Sequence, residues 1–509
     1  MKGLIDMQYV VTNAQMKLAE QRCDRDGVSY IRMMENAGTA CAEEIIRIVP
    51  RGGFISILCG SGNNGGDGFV ISAVLASHGI SSAVILINGE PQTDCARHHF
   101  NRLHGSKIME WDKHREACCD RIVRSDMVID CIYGTGFHGT LPENAADAIR
   151  FANHCPIRVA VDVPSGINSD TGEMDENYFR PTHTYFLAAI KVGLLSLPCN
   201  DLIGETKLLD IGIDDSCYES DYIAKIPDDS YRHPFSDRLR SSHKGSYGKL
   251  LNIAGCLNYN GAAAMSTLAA LRTGVGLCTL AAPRSVVNIV GASVHETTYL
   301  PLPENSDGYV GPDAAEKILG NLDKVTAISV GCGMGRSENT RNIVEAVIKN
   351  ATCPIIIDAD GINSIADNID ILKERKSDII LTPHVMEFSR ISGSSPDEIQ
   401  SDRIAAARGF AAGYEVTVVL KGANTVIAAP DGSVFVNICG NSGLAKGGSG
   451  DVLTGMIASM AAQGIPALKA AVCGVYCHAL ASDMLLDSIP AVSMLPGDVI
   501  GILPEVYRS

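Results

Sequence analysis

Two consecutive α/β domains are the fold this sequence predicts, and three observations predict them. The chain has 509 residues, more than one hydrophobic core organises, so two to four domains are expected. Short β-rich apolar runs alternate with helical stretches, the rhythm of a parallel sheet wound with helices on both faces. That rhythm stops near Ile213 and resumes at Lys249, with a stretch from Asp214 to Arg240 rich in Asp, Ser, Tyr and Pro between.

In the first series the expected strands are Phe54 to Leu58, Ala83 to Ile87, Met127 to Cys131 and Arg158 to Val163, with a helical run from Phe69 to His78. In the second they are the run beginning at Lys249, Leu277 to Ala281, Val325 to Val330, Ile355 to Asp358, Ile379 to Leu381 and Val416 to Leu420, with a helix over Val452 to Gln463. The domains read as 1–213 and 236–509, joined by a linker or wrapping arm over 214–235.

Charged residues make up 20% and apolar residues 46% of the chain, a globular composition. A net charge of −16 argues against a nucleic-acid surface, which needs clustered Lys and Arg. No signal segment and no run of about 18 uncharged apolar residues stands out, so no membrane contact and a cytoplasmic location are expected. The 17 cysteines are scattered through apolar segments without a C-x-x-C pair. They suit a reducing compartment, and Cys473 and Cys477 beside His478 read as buried small residues before they read as zinc ligands.

The chemistry-bearing stretches of the first half lie at strand ends, where an α/β sheet forms its ligand crevice. Ser61-Gly62-Asn63-Asn64-Gly65-Gly66-Asp67-Gly68 offers backbone N–H groups and carbonyl oxygens to a pyrophosphate or a cation, although Asn-Gly pairs also make plain turns. Asp130 to Thr140 and Asp162-Val163-Pro164-Ser165-Gly166 follow two further strands. A carboxylate ending an apolar strand is costly unless it binds a cation, accepts hydrogen bonds or is protonated, so Asp130 and Asp162 together favour a site over two strand-end caps.

In the second half, Gly447-Gly448-Ser449-Gly450-Asp451 precedes the Val452 helix. Several N–H groups at a helix start can hold a phosphate, with Asp451 facing whatever attacks it. The helix end supplies roughly 0.3 to 1 kcal/mol, about 2 when partly buried, so Mg²⁺ and the Ser449 hydroxyl must help. A Gly-rich turn that merely starts a packed helix is the competing reading. Lys421-Gly422-Ala423-Asn424-Thr425 reads as a turn between two strands, with Lys421 a mobile cation for phosphate charge or an ordinary solvated hairpin lysine.

With Met34-Glu35-Asn36-Ala37-Gly38 and Lys191-Val192-Gly193, the first-half motifs resemble the NAD(P)H-hydrate epimerase domain, a Rossmann-like three-layer sandwich. The second half resembles the ADP- or ATP-dependent NAD(P)H-hydrate dehydratase, a ribokinase-like α/β domain. Its marks are His243 to Gly248, Ala270 to Gly274, Gly331 to Gly335, Leu381 to His384, Lys421 to Thr425 and Gly447 to Gly455. The resemblance covers nearly the whole chain and implies a two-activity repair of NADH and NADPH hydrates (NADHX and NADPHX), with homo-oligomeric assembly expected. Epimerisation of the R and S forms would fall to the first domain and dehydration of the S form to the second, with ADP or ATP as phosphoryl donor and Mg²⁺.

Residue by residue, the resemblance implies Asp162 as the epimerase acid/base. Asn63, Asn64, Gly65, Gly66, Asp67, Gly134, Thr135, Gly136, Phe137, His138, Gly139 and Thr140 would hold the hydrate there, and Asn64, Asp130 and Ser165 would bind K⁺. It implies Asp451 as the dehydratase base, Ala262, Gly333 and His384 as the hydrate pocket, and Lys421 to Thr425 with Gly447, Gly448, Ser449 and Gly450 as nucleotide-binding. The chain departs from the family pattern at Gly261-Ala262-Ala263, Gly331-Cys332-Gly333 and His384-Val385-Met386-Glu387, where many dehydratases carry proline. Two readings compete: a ribokinase-like small-molecule kinase, and a catalytic second domain fused to a non-catalytic ligand-sensing first one.

Overall fold

The computed structural model describes residues 8–219 and 221–508. The chain divides into two compact units, residues 1–225 and 226–509.

In the first unit, β1 (Gln8–Val11) precedes β2 (Ile55–Cys59), β3 (Ser82–Leu86), β4 (Lys107–Glu110), β5 (Met127–Cys131), β6 (Ile157–Val161), β7 (His183–Leu187), the two-residue β8 (Ile190–Lys191) and β9 (Glu205–Leu209). Seven of them form one sheet in the order β4-β3-β2-β5-β6-β7-β9, parallel throughout. The order reverses between β2 and β5, and a crevice opens at such a reversal beyond the strands' C-terminal ends. Successive residues of a strand face opposite sides, so Ile55, Ile57 and Cys59 enter one core and Leu58 the other, with Ile129 and Val128 divided likewise.

The expected strands Phe54 to Leu58, Ala83 to Ile87, Met127 to Cys131 and Arg158 to Val163 lie within one or two residues of β2, β3, β5 and β6. The glycine-rich segment differs from its sequence reading. Asn63–Ser77 is one helix, so Asn63 to Gly68 form its first turns and are not a loop ahead of it. Glycine is a poor helix former, but here close approach requires it: a Cβ on Gly65 would lie 2.0 Å from the Gly60 carbonyl oxygen, and one on Gly68 2.7 Å from Cys59 Sγ.

A three-residue strand, β10 (Ala224–Ile226), spans the boundary between the units. The segment read as a linker or arm begins with Cys217 and Tyr218 buried in the core of the first unit. Tyr218 stacks on Tyr9 at 4.4 Å between ring centroids.

The second unit contains β11 (Lys249–Ile253), β12 (Leu277–Pro283), β13 (Thr298–Leu302), β14 (Ala327–Val330), β15 (Ile355–Ile357), β16 (Ile379–Leu381), β17 (Thr417–Leu420), β18 (Thr425–Ala428) and β19 (Val434–Asn437). Their order is β13-β12-β11-β14-β15-β16-β17-β18-β19. Pairing is parallel from β13 to β17, and β17, β18 and β19 pair antiparallel. Lys421 to Thr425 is thus the turn of the β17–β18 hairpin. The helix expected from Val452 begins earlier, as Ser449–Ala462, so Ser449, Gly450 and Asp451 form its first turn. All 17 cysteines are free thiols. No helix among the described residues is long and apolar enough to cross a membrane.

Candidate functional site

In the first unit a cavity of about 470 Å³ opens at the β2/β5 reversal. Its wall includes Ser61 to Asn64, Asp67, Ile132 to Gly136, Asp162 and Lys191, so the three polar segments following β2, β5 and β6 do converge. Gly65 and Gly66 lie outside this lining because they pack the helix against its neighbours; Phe137, buried in the core, and the exposed His138, Gly139 and Thr140 lie outside it too.

Asp162 follows β6 with φ of 67°, in the left-handed region. Its carboxylate accepts from the Lys191 ammonium and, at 3.2 Å, from the Leu187 N–H. Lys191 is 1% exposed and also donates to the carbonyls of Leu187 at 2.9 Å and Ala189 at 3.1 Å. Two further carboxyls face this pair. Burial, with the charges of Asp162 and Glu20, pushes the Asp67 carboxyl well above its ordinary value, and burial raises that of Glu20. Groups of one chemical type are thus split, with the Asp67 carboxyl held above its ordinary value beside an ion-paired Asp162, the kind of arrangement that separates acid and base roles.

Beneath the cavity, Asp130 is fully buried. It accepts from Ser165 Oγ at 2.7 Å, the Ser165 N–H at 2.7 Å and the Ile132 N–H at 3.1 Å. Burial pushes its carboxyl up to about 6 against these hydrogen bonds. Asn64 packs beside Gly134, and its Nδ2 is a buried atom without a partner. Turning that amide would bring its oxygen toward the orphaned position, so an oxygen-rich donor set of Asn64, Asp130 and Ser165 fits a hard monovalent cation.

In the second unit the groups again gather at strand C-termini. Asp358, after β15, is 1% exposed. It accepts from Lys421 Nζ at 2.8 Å and Thr454 Oγ1 at 2.8 Å. Burial raises its pKa, but the Lys421 ammonium and the hydroxyls outweigh burial and hold it below the ordinary value. Asp451 stands in the first turn of its helix, and burial, then the charge of Asp358, pushes its carboxyl up to about 6. No side chain caps that helix, whose N-cap Gly448 has φ of 102°; the Ser449 N–H donates to the Lys446 carbonyl at 3.2 Å, so the N–H groups of Gly450 and Asp451 are those the helix start offers a ligand.

Lys421 reaches back from the hairpin toward Gly450, where an added Cβ would sit 3.3 Å from Nζ. Gly422 and Ala423 are exposed, and Thr425 Oγ1 donates to the Gly422 carbonyl at 3.0 Å, closing the turn. Ala262 and Gly333 are in contact, a Cβ on Gly333 falling 2.8 Å from that of Ala262. His384 caps the helix Val385–Ser392: its Nδ1 accepts from the N–H groups of Met386 at 3.1 Å and Glu387 at 3.2 Å. The ring proton therefore sits on Nε2, 3.2 Å from a Glu387 carboxylate oxygen.

Gly448→Ala is an expected disruption. A Cβ there meets Met265 Cε at 2.6 Å, and the left-handed backbone costs a further ~1–2 kcal/mol. Thermal unfolding should show that loss of stability, and calorimetry weaker binding of nucleotide.

Sequence reasoning missed four of these groups as site residues: Lys191, Asp358, Glu20 and Cys332, whose thiol lies 3.7 Å from Asp358 Oδ2. Asp358 was detectable, because it ends an apolar strand as Asp130 and Asp162 do. Glu20, on the helix Asn13–Arg25, carries no local signal.

Residues 250–505 match the family model described as NAD(P)H-hydrate dehydratase, and residues 31–193 match that of the YjeF-related protein N-terminus. The chain is 34% identical over 517 aligned residues to the bifunctional NAD(P)H-hydrate repair enzyme Nnr of Moorella thermoacetica, covering 98% of this chain and 97% of that one. It is 31% identical to the enzyme of the same name from Thermofilum pendens, covering 97% and 95%. Among solved structures, the ADP/ATP-dependent NAD(P)H-hydrate dehydratase of Bacillus subtilis, co-crystallised with ATP/Mg²⁺, shares 32% identity with a TM-score of 0.49, covering 55% of this chain and 97% of that one. With relatives of one kind matched along both units, the chain belongs to the family of bifunctional NAD(P)H-hydrate repair enzymes.

Proposed function

We propose that this protein restores hydrated NADH and NADPH in two steps, epimerising the R and S hydrates in the first unit and dehydrating the S hydrate in the second at the expense of ADP or ATP. The observation that carries this reading is the likeness along 98% of the chain, which embraces both units. The geometry supplies the chemistry each step needs.

Dehydration requires a poor leaving group, hydroxide, to be made a good one. The nucleotide's terminal phosphate lies over the Gly447 to Gly450 helix start, and Lys421 neutralises part of its charge. Asp451 takes the proton of the C6 hydroxyl as that oxygen attacks phosphorus, and AMP or ADP departs. The ring nitrogen's lone pair then expels phosphate, and loss of the C5 proton restores the C5–C6 double bond. Mg²⁺ bound with the nucleotide would supply charge neutralisation beside Lys421. Ala262, Gly333 and His384 line the hydrate's side of the site. Asp358 touches neither substrate and acts by fixing Lys421.

Epimerisation needs the hydroxyl to leave and water to return on the other face. Asp67 holds a proton to give and Asp162 holds the charge that receives one from incoming water. Asn63 and Asn64 with Gly134, Thr135 and Gly136 flank the substrate. K⁺ on Asn64, Asp130 and Ser165 would supply fixed positive charge that holds the β2, β5 and β6 loops together.

Purified protein incubated with mixed R and S NADHX, Mg²⁺ and either nucleotide is expected to return both epimers to NADH, followed by dihydronicotinamide absorbance. Replacing K⁺ by a bulky organic cation should slow recovery of the R fraction by about tenfold or more, by analogy with the loss of an oriented ligand, and leave the S fraction unchanged. No recovery with either nucleotide would overturn the reading. Release of a stable phosphorylated product would favour a kinase instead.

A further inference from the structure

The first unit contains a second cluster of donors that the epimerase chemistry does not use. Glu35 lies on the helix Tyr30–Ile48, and His98 and His99 on the helix Asp94–Phe100. One ligand atom from each lies within 4.8 Å of the other two. Independently of that spacing, Nε2 of both His98 and His99 is buried without a hydrogen-bond partner, and His99 is 8% exposed. A buried imidazole nitrogen without a partner is costly, and two on adjacent residues clustered with one carboxylate call for a common occupant.

We propose that Glu35, His98 and His99 form a binding site for a divalent cation of the zinc class. Two imidazole nitrogens and one carboxylate oxygen suit Zn²⁺ and its neighbours, not K⁺ or Mg²⁺, which take oxygen ligands. The rings meet edge to face with centroids 5.1 Å apart, which lets both present a nitrogen to one point. Glu35 is otherwise held by Arg32 at 3.2 Å, an exposed pair that a cation readily displaces. Three protein ligands leave one position of a tetrahedron for water or a small anion.

The two helices that carry this cluster also supply Met33, Met34 and Cys95 to the cavity wall. An ion here would clamp that wall without touching the substrate.

The test uses the full-length protein stripped with chelator, titrated with ZnCl₂ by calorimetry and with Co²⁺ by visible absorption. One equivalent is expected to bind, with a Co²⁺ spectrum free of sulfur-to-metal charge transfer and a rise in thermal midpoint on adding Zn²⁺. His98→Ala and Glu35→Gln should each weaken binding by more than about tenfold and lose that rise, while the metal-free midpoint stays at the parental value. Glu35→Gln keeps the test decisive should His98→Ala fail to fold. Cys332→Ser should leave zinc binding unchanged, which separates this cluster from that of Cys332, Asp358 and Asp451. Failure of the parent to bind zinc, equal affinity in both cluster variants, or loss of the equivalent in Cys332→Ser would overturn the proposal.

Discussion

Asp451→Asn is expected to abolish nucleotide-dependent recovery of NADH while making the protein more stable at neutral pH. Removing the base that takes the hydroxyl proton should lower the rate by about 10²- to 10⁴-fold. The stability effect follows from the same carboxyl. Its folded pKa is pushed from 3.8 to about 6, by burial first and then by Asp358. A carboxyl raised on folding destabilises the folded state wherever it must be ionised. That penalty is full above about pH 6 and fades as pH falls toward 3.8. A tenfold change in a proton-binding equilibrium corresponds to about 1.4 kcal/mol, so an uncharged amide should gain about 1 to 3 kcal/mol above pH 6, the lower figure allowing for the partial exposure of the group. In the parent, recovery of the S hydrate should rise with pH through about 6 and then level, because the base form does the work. Thermal unfolding of parent and variant between pH 4 and pH 8 checks the first claim and a pH–rate profile the second. A variant no more stable at pH 8 than its parent would mean that Asp451 is not strained by its surroundings, whatever its role in the reaction.

Several strands absent from the sequence reading lie at sheet edges, although the buried β7 and β19 are absent from it as well. β2, β5, β15 and β16 are fully buried and show as mainly apolar runs, unbroken in Ile355 to Ile357 and Ile379 to Leu381. β4 and β9 close the two edges of the first sheet. Half or more of their residues face solvent, so Lys107 to Glu110 and Glu205 to Leu209 carry no such run. β13, the other outer strand missed, is mostly unburied for the same reason. Helix starts were misread because glycine is penalised by propensity, whereas at Gly65, Gly68 and Gly448 tertiary contact or backbone sign decides. The candidate site was legible wherever a carboxylate ended an apolar strand, as at Asp130 and Asp162. Its electrostatic partners, Lys191 and Glu20, reach the cavity from elements distant in sequence, and only the folded chain brings them together.

Asp162→Asn should have the opposite effect on stability from Asp451→Asn, and this contrast separates the two sites. Asparagine is the informative substitution because, like aspartate, it tolerates the left-handed backbone at φ of 67°. The change therefore removes charge and leaves the conformation in place. Lys191 remains 1% exposed with its ammonium buried, holding only the carbonyls of Leu187 and Ala189 from the contacts it now makes. Removing one member of a buried ion pair typically costs about 3–5 kcal/mol. Asp162→Asn with Lys191→Met should recover much of that loss without restoring activity, because the stranded charge is gone and the acid/base group is still absent. On mixed hydrates, the single variant should recover the S fraction at the parental rate and the R fraction about 10²- to 10⁴-fold more slowly. Exchange between epimers at the parental rate would instead make the first unit's aspartate a structural partner of Lys191 and return the ligand-sensing reading of that unit to consideration. Stability and epimer exchange are separate readouts, so a variant that is destabilised yet still exchanges epimers distinguishes a structural ion pair from a catalytic one.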